Sequence, residues 1–389
     1  VTVTARPVES TGAPSHPPGR HRRHRPWHLA GLAGALAAAV LLVVLPQAGP
    51  TTSADEPGRL RTVAEVWPAA EITEVPANLA DGPAYSPVLF LDGATSVGTA
   101  PSPDGTALRL VVRAADGSVR ELRRLPLGAT PQFGGFTTDG DTLAWSESVA
   151  DEDGRGRTEM WAASLADDAE PRRLSTDTGD VVFFNSQYDM VINEGSLYWV
   201  AVAPGTEPAT ELRSVPLAGG EVTVRTDPGA WALSSWPTMV SAGSGETGPI
   251  RIRDLVERRI TDVPAGPTEL VTCGPTWCRV LVLAADGPGR IDLMRPDGTD
   301  RRRIGDGSVT ASTIDVAVLD RFEVLSLSSA PTSLTNSQQL IIYDLQLDEA
   351  IVVSDDVGMV LCRGGVLWWS VGDDSSASWQ VLDLRSLTD

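Results

Sequence analysis

Ala107 to Val112 reads ALRLVV, and it follows directly on Ser102-Pro103-Asp104-Gly105-Thr106. Proline fixes one dihedral, aspartate bonds back to the backbone and glycine accepts positive φ, so the segment is a tight turn feeding a short apolar strand. Comparable runs recur at Thr142 to Glu147 (TLAWSE), Ser196 to Val202 (SLYWVAV), Thr238 to Ala242 (TMVSA), Trp277 to Leu283 (WCRVLVL), Phe322 to Leu327 (FEVLSL) and Val366 to Val371 (VLWWSV). Their starts lie 35, 54, 42, 39, 45 and 44 residues apart. Each is followed by a polar loop and a second run, several by a third, and each is preceded by a small-residue strand. Four strands in about 40 to 45 residues is the arithmetic of a propeller blade. The expected fold is therefore all-β, a seven-bladed β-propeller over residues 67 to 389, with six or eight blades or an open ring as the alternatives.

The last unit ends at Asp389, just after its third strand. An unpaired sheet edge there would invite foreign strands. A strand from the beginning of the body, either Glu71 to Val75 or Val88 to Leu91, is expected to supply the outer strand of the blade formed by residues 356 to 389.

Ahead of the body, Leu29 to Leu45 (LAGLAGALAAAVLLVVL) carries no charge, and Arg6, Arg20, Arg22, Arg23 and Arg25 precede it against Glu9 alone. Residues 1 to 50 therefore sum to +4, and with −20 for the whole chain the remainder is −24. That asymmetry is the charge pattern of a cytoplasmic N-terminus and an exported body. Residues 1 to 26 are expected to be a disordered basic cytoplasmic tail, 27 to 46 a transmembrane signal anchor and 47 to 66 a tether. A cleaved signal ending near Thr52-Ser53-Ala54, with secretion of the body, is the alternative.

Composition closes many chemistries. The chain has no lysine, and His16, His21, His24 and His28 all lie before or within the anchor. Without histidine the body has no Ser-His-Asp or Cys-His pairing and no histidine-bound metal. Without lysine it has no Schiff base. Carboxylate chemistry stays open. No cofactor, metal site or catalytic residue is expected, and a body at −24 repels nucleic acid.

The turn Ser102-Pro103-Asp104-Gly105-Thr106-Ala107-Leu108, echoed at Thr137-Thr138-Asp139-Gly140 and Arg295-Pro296-Asp297-Gly298-Thr299, resembles the WD40-like repeat of TolB-type propellers. The resemblance implies an extracytoplasmic, non-enzymatic scaffold for a protein partner; with the anchor read from Leu29 to Leu45, the expectation is a scaffold tied to the membrane by its N-terminal helix and facing a protein or cell-envelope partner. The alternative is a propeller that binds or cleaves carbohydrate at the envelope. Function is expected in the long connections near 148 to 158, 204 to 210 and 328 to 338.

Among single residues, Cys273 and Cys278 flank a four-residue turn and, in an oxidising compartment, are expected to form a cross-strand disulfide. Cys362 is expected as a buried free thiol. Trp145, Trp199 and Trp368 stand at like positions after a glycine and are expected to fill space between blades, with a sugar-stacking platform as the alternative. Trp231 and Trp236 are the candidates for an exposed interaction patch. The acidic loop Asp151 to Arg157 has a partial calcium-loop composition, interrupted by two arginines, and reads as a solvated connection.

Overall fold

The computed structural model describes residues 59–150, 156–242, 250–285, 287–328, 338–372 and 377–387. The basic tail, the apolar segment Leu29 to Leu45 and most of the acidic loop at 151 to 155 lie outside them. Among the described residues no helix is long and apolar enough to cross a membrane.

Seven antiparallel sheets follow one another along the chain, each built on four strands, so the seven-bladed all-β architecture is confirmed. The innermost strands are Ser86–Phe90, Gln132–Thr138, Met190–Asn193, Trp231–Leu233, Glu269–Cys273, Val309–Ala311 and Val360–Arg363. Side chains alternate along a strand, and here both faces are buried against neighbouring blades. In the second blade Leu143 and Trp145 pack on the first blade, beside Leu110 and Leu122, while Ala144 packs on the third, beside Leu197 and Val215. Seven such apolar clusters occupy the seven blade interfaces, including the one between the last blade and the first, where Trp368 meets Phe90.

The ring is closed by a strand from the start of the body. Ile72–Pro76 pairs antiparallel with Ser378–Asp383 over five residue pairs, Ile72 with Leu382 through Pro76 with Ser378. It is the outer strand of the seventh blade, the first of the two candidates; Val88 to Leu91 belongs instead to the inner strand of blade one. Trp379 Nε1 donates to the Tyr85 carbonyl at 3.1 Å and Arg385 to the Leu91 carbonyl at 3.0 Å, tying blade seven to blade one.

Two boundaries differ from the sequence reading. Arg61–Thr62, placed in the tether, pairs parallel with Ile351–Val352 at the outer edge of the sixth blade, and a single helical turn, Val63–Val66, buries Val63 against it. The run Ala107–Arg113 is the third strand of its blade, whereas the other six runs are second strands. The second strand there is Ser96–Pro101 (SVGTAP), whose small residues hide it from a search for apolar runs. Measured like for like, Ser96 to Thr142 is 46 residues, and the anomalous step of 35 disappears.

Closure by Val75 is testable. Its side chain is 1% exposed against Trp368, Trp379 and Val381. Val75→Asp places an unpaired charge there and is expected to cost about 3 kcal/mol or more. Calorimetry is expected to show a clear fall in Tm for it, and little change for Glu74→Ala on the exposed side of the same strand.

Candidate functional site

The third blade departs from its neighbours at the axis. Its inner strand is split: Asp180–Val181 pairs with Val202 and Ala201, Met190–Asn193 pairs with Trp199 to Ser196, and after Val182, whose amide still donates to the Val200 carbonyl at 3.3 Å, the residues between leave the sheet. This strap, 182 to 189, crosses towards the far side of the ring. Ser186 Oγ donates to Asp315 at 2.6 Å and the Gln187 amide to the same carboxylate at 3.1 Å, both in blade six. The Gly364 amide of blade seven donates to Gln187 Oε1 at 2.9 Å. The base of the strap is pinned by the Phe184 amide, which donates to Asp189 at 2.8 Å. Phe183 presses on Gly135 of blade two, where a Cβ would lie 2.8 Å from its ring, so that position requires glycine on spacing as well as on its φ of +56°.

Asp315 belongs to a second irregular piece, the connection 312 to 321 between the first two strands of blade six. Elsewhere that link is a tight hairpin, as at Gly364-Gly365. Here Ala317, Leu319 and Asp320 all have positive φ, at 49°, 56° and 57°. Such backbone persists where its surroundings over-determine it. They do: Arg279, 8% exposed, pairs with the fully buried Glu323 and donates to the carbonyls of Thr313 and Asp315, each at 2.9 Å. Glu323 also accepts from the Ala317 amide at 2.7 Å. Asp320 accepts from the Thr276 hydroxyl on the neighbouring blade.

Strap, connection and hairpins line a cavity of about 550 Å³ that opens to solvent. Phe184 and Tyr188 offer rings, Ser186, Ser234, Ser235 and Thr272 hydroxyls, Gln187 an amide, and Asp315 and Asp320 carboxylates. Among the described lining residues there is no cationic side chain. Gln187 Oε1 is occupied by Gly364, but no described residue accepts from its amide nitrogen, and none bonds the Tyr188 hydroxyl. These groups are left to meet whatever enters.

In and behind the lining lies a set of ionisable groups whose titration burial shifts. Burial pushes Asp189 up to about 6, against the opposing pull of the Phe184 amide and the Arg363 charge and with a small push from Asp315. Burial also lowers the Arg363 guanidinium, which donates to the Phe136 carbonyl of blade two at 3.3 Å. Tyr188 is raised to about 12, by burial first and then by Asp315 and Asp320. The Cys362 thiol is buried, free and raised by desolvation, an inert group.

Of the residues singled out from sequence, Cys273 and Cys278 are directly paired and disulfide-bonded, and the hairpin they staple forms part of the cavity wall. Trp145, Trp199 and Trp368 are fully buried between blades, which excludes the sugar-stacking alternative for them. Trp231 is 3% exposed, its Nε1 donating to the Pro228 carbonyl, and Trp236 packs its ring 4.2 Å from that of Tyr198. The pair therefore does not form the exposed patch expected of it, because both rings fill space between blades three and four. Residues 329 to 337 lie outside the described residues. The loops at the axis, 182 to 189 and 312 to 321, were not among those named.

No protein-family model matches the chain, and no curated protein does. Among solved structures the chain is similar to an oligogalacturonate lyase in complex with manganese, with 12% identity, 80% of this chain and 90% of that one covered and a TM-score of 0.49. It is similar to the β-propeller domain of the Trilobed protease from Pyrococcus furiosus, with 12% identity, 65% and 83% covered and a TM-score of 0.46. It is also similar to the Pyrococcus horikoshii acylaminoacyl peptidase, with 10% identity, 64% and 44% covered and a TM-score of 0.45. At these identities the likeness is one of fold.

The neighbours named are enzymes or parts of enzymes, against the expectation of a non-enzymatic, TolB-like scaffold with no enzymatic role, and that expectation is not carried further. Removing histidine and lysine from consideration does not remove proton chemistry when a carboxyl such as Asp189 is held near 6 by burial.

The Asp189 shift has a measurable consequence. Its folded value lies above its unfolded value, so the native state holds the proton more tightly. Stability is then full below about pH 4 and falls as pH rises to 6, by about 3 kcal/mol for this group. Asp189→Asn keeps an acceptor for the Phe184 amide and removes the buried charge. It is expected to raise Tm at pH 7.5 and to flatten the pH 4 to 6.5 segment of the stability profile, read by denaturant unfolding.

Proposed function

We propose that the chain is a carbohydrate-active propeller of the cell envelope, binding and cleaving glycan in the cavity at the ring axis. The cavity itself carries this reading: it is within the usual volume range of ligand sites, and it combines ring faces, hydroxyls, an unspent amide and two carboxylates. A sugar presents an apolar face and a rim of hydroxyls, and needs that mixture. Asp315 and Asp320 supply the two carboxylates that glycoside cleavage uses, one as acid and one as base or nucleophile. With no cation among the described lining residues, neutral and amino sugars are favoured and uronates repelled. Acidic glycans of the kind named for the lyase are thus disfavoured.

Location at the envelope is part of the same proposal. A basic N-terminus, the uncharged run Leu29 to Leu45 and a −24 remainder support a single-pass anchor with the body outside, or a cleaved and secreted body. The Cys273–Cys278 disulfide fits an oxidising compartment.

The test is a glycan array followed by calorimetric titration and a hydrolysis assay on cell-wall polysaccharide. A neutral or amino-sugar glycan is expected to bind, and Asp315→Asn and Asp320→Asn are each expected to lower affinity or turnover by about tenfold or more. Asp315 also holds the strap, so Asp320→Asn, whose described partner is Thr276, separates ligand loss from strap loss. Absence of any glycan binding or turnover overturns the proposal.

A further inference from the structure

The strap decides how a ligand can enter. Blades normally surround an open central channel. Here the strap leaves blade three, rests on blade two through Phe183 and Gly135, and is latched to Asp315 in blade six and Gly364 in blade seven. Arg363 crosses separately, from blade seven to the Phe136 carbonyl of blade two. Contacts thus run across the axis in two directions, and the cavity is a pit with a floor.

The walls are as fixed as the floor. The hairpin stapled by Cys273 and Cys278 and the neighbouring connection, held by the buried Arg279–Glu323 pair and joined to that hairpin through Thr276 and Asp320, form one stretch of wall, flanked by Leu233 to Ser235 of blade four and Gly364-Gly365 of blade seven. A groove lets a polymer lie across it with both ends free. A walled pit of about 550 Å³ admits one or two sugar units and stops the next.

We infer that this propeller recognises a glycan end-on, taking the terminal units of a chain and not an internal stretch. This rests on the carbohydrate reading and adds the mode of attack: if bond cleavage occurs, it releases short fragments from one chain end.

The experiment uses the full chain in detergent and linear cello- and chito-oligosaccharides of two to six units, each free and with a bulky aryl cap on one end or the other. Affinity is expected to rise to two or three units and then stay flat. A cap on one end is expected to weaken binding by about tenfold or more, and a cap on the other to leave it unchanged. If affinity climbs through six units and neither cap matters, the end-on inference is overturned while the carbohydrate reading stands. If none of these probes binds, nor any neutral or amino-sugar glycan on the array, the reading fails and takes the inference with it.

Discussion

Five residue pairs between Ile72–Pro76 and Ser378–Leu382 join the two ends of the folded body, and the ring depends on them. Each backbone bond contributes only about 1 kcal/mol net. What the pairing secures is larger, because among the described residues blade seven has no other outer strand and its apolar face on blade one exists only when the circle is shut. Phe90 of blade one, Val75 of the closing strand and Trp368 of blade seven share one cluster. Removing the closing strand would bare a row of backbone groups and open that cluster together. Arg321 adds a clasp: buried, paired with Asp344 and donating to the Leu387 carbonyl at 2.9 Å, it ties blade six to the last described turn.

A shut ring is rigid enough to carry irregular loops at its axis. The strap spends its hydrogen bonds on distant blades, and the connection 312 to 321 holds three non-glycine residues at positive φ. Neither piece would keep its shape alone. Blades two, five, six and seven hold them from several sides, and so bring Asp315, Asp320, Gln187 and Tyr188 to one cavity. The repeat supplies the frame and its exceptions supply the cavity.

That division explains what could be read from sequence. The blade count, the closing strand, the stapled hairpin and the inter-blade tryptophans follow from period, turn chemistry and cysteine spacing, which are local properties. Blade one was framed one strand late because Ser96–Pro101 is too small-residued to register as a strong run. The strap left a trace, since the step from 142 to 196 is the longest of the six, but an insertion's length says nothing of where it goes. Asp189 could not be found at all. Among 51 acidic residues its distinction is burial, and the charges that act on it, Asp315 and Arg363, lie more than a hundred positions away. Trp231 and Trp236 looked exposed because the stretch around them is too short to show strand periodicity, yet Trp231 opens the inner strand Trp231–Leu233 and both rings turn inward.

Closure is the premise from which the interfaces, the floor of the cavity and its fixed walls all follow, and hydrogen exchange followed by mass spectrometry reads it directly. In a closed ring those amides of Ile72 to Val75 that bond to the neighbouring strand exchange as slowly as the amides of Trp379 to Leu382, and both are released together by global opening. Exchange of Ile72 to Val75 within seconds, with the outer edge of blade seven equally unprotected while the inner blades stay closed, would contradict it.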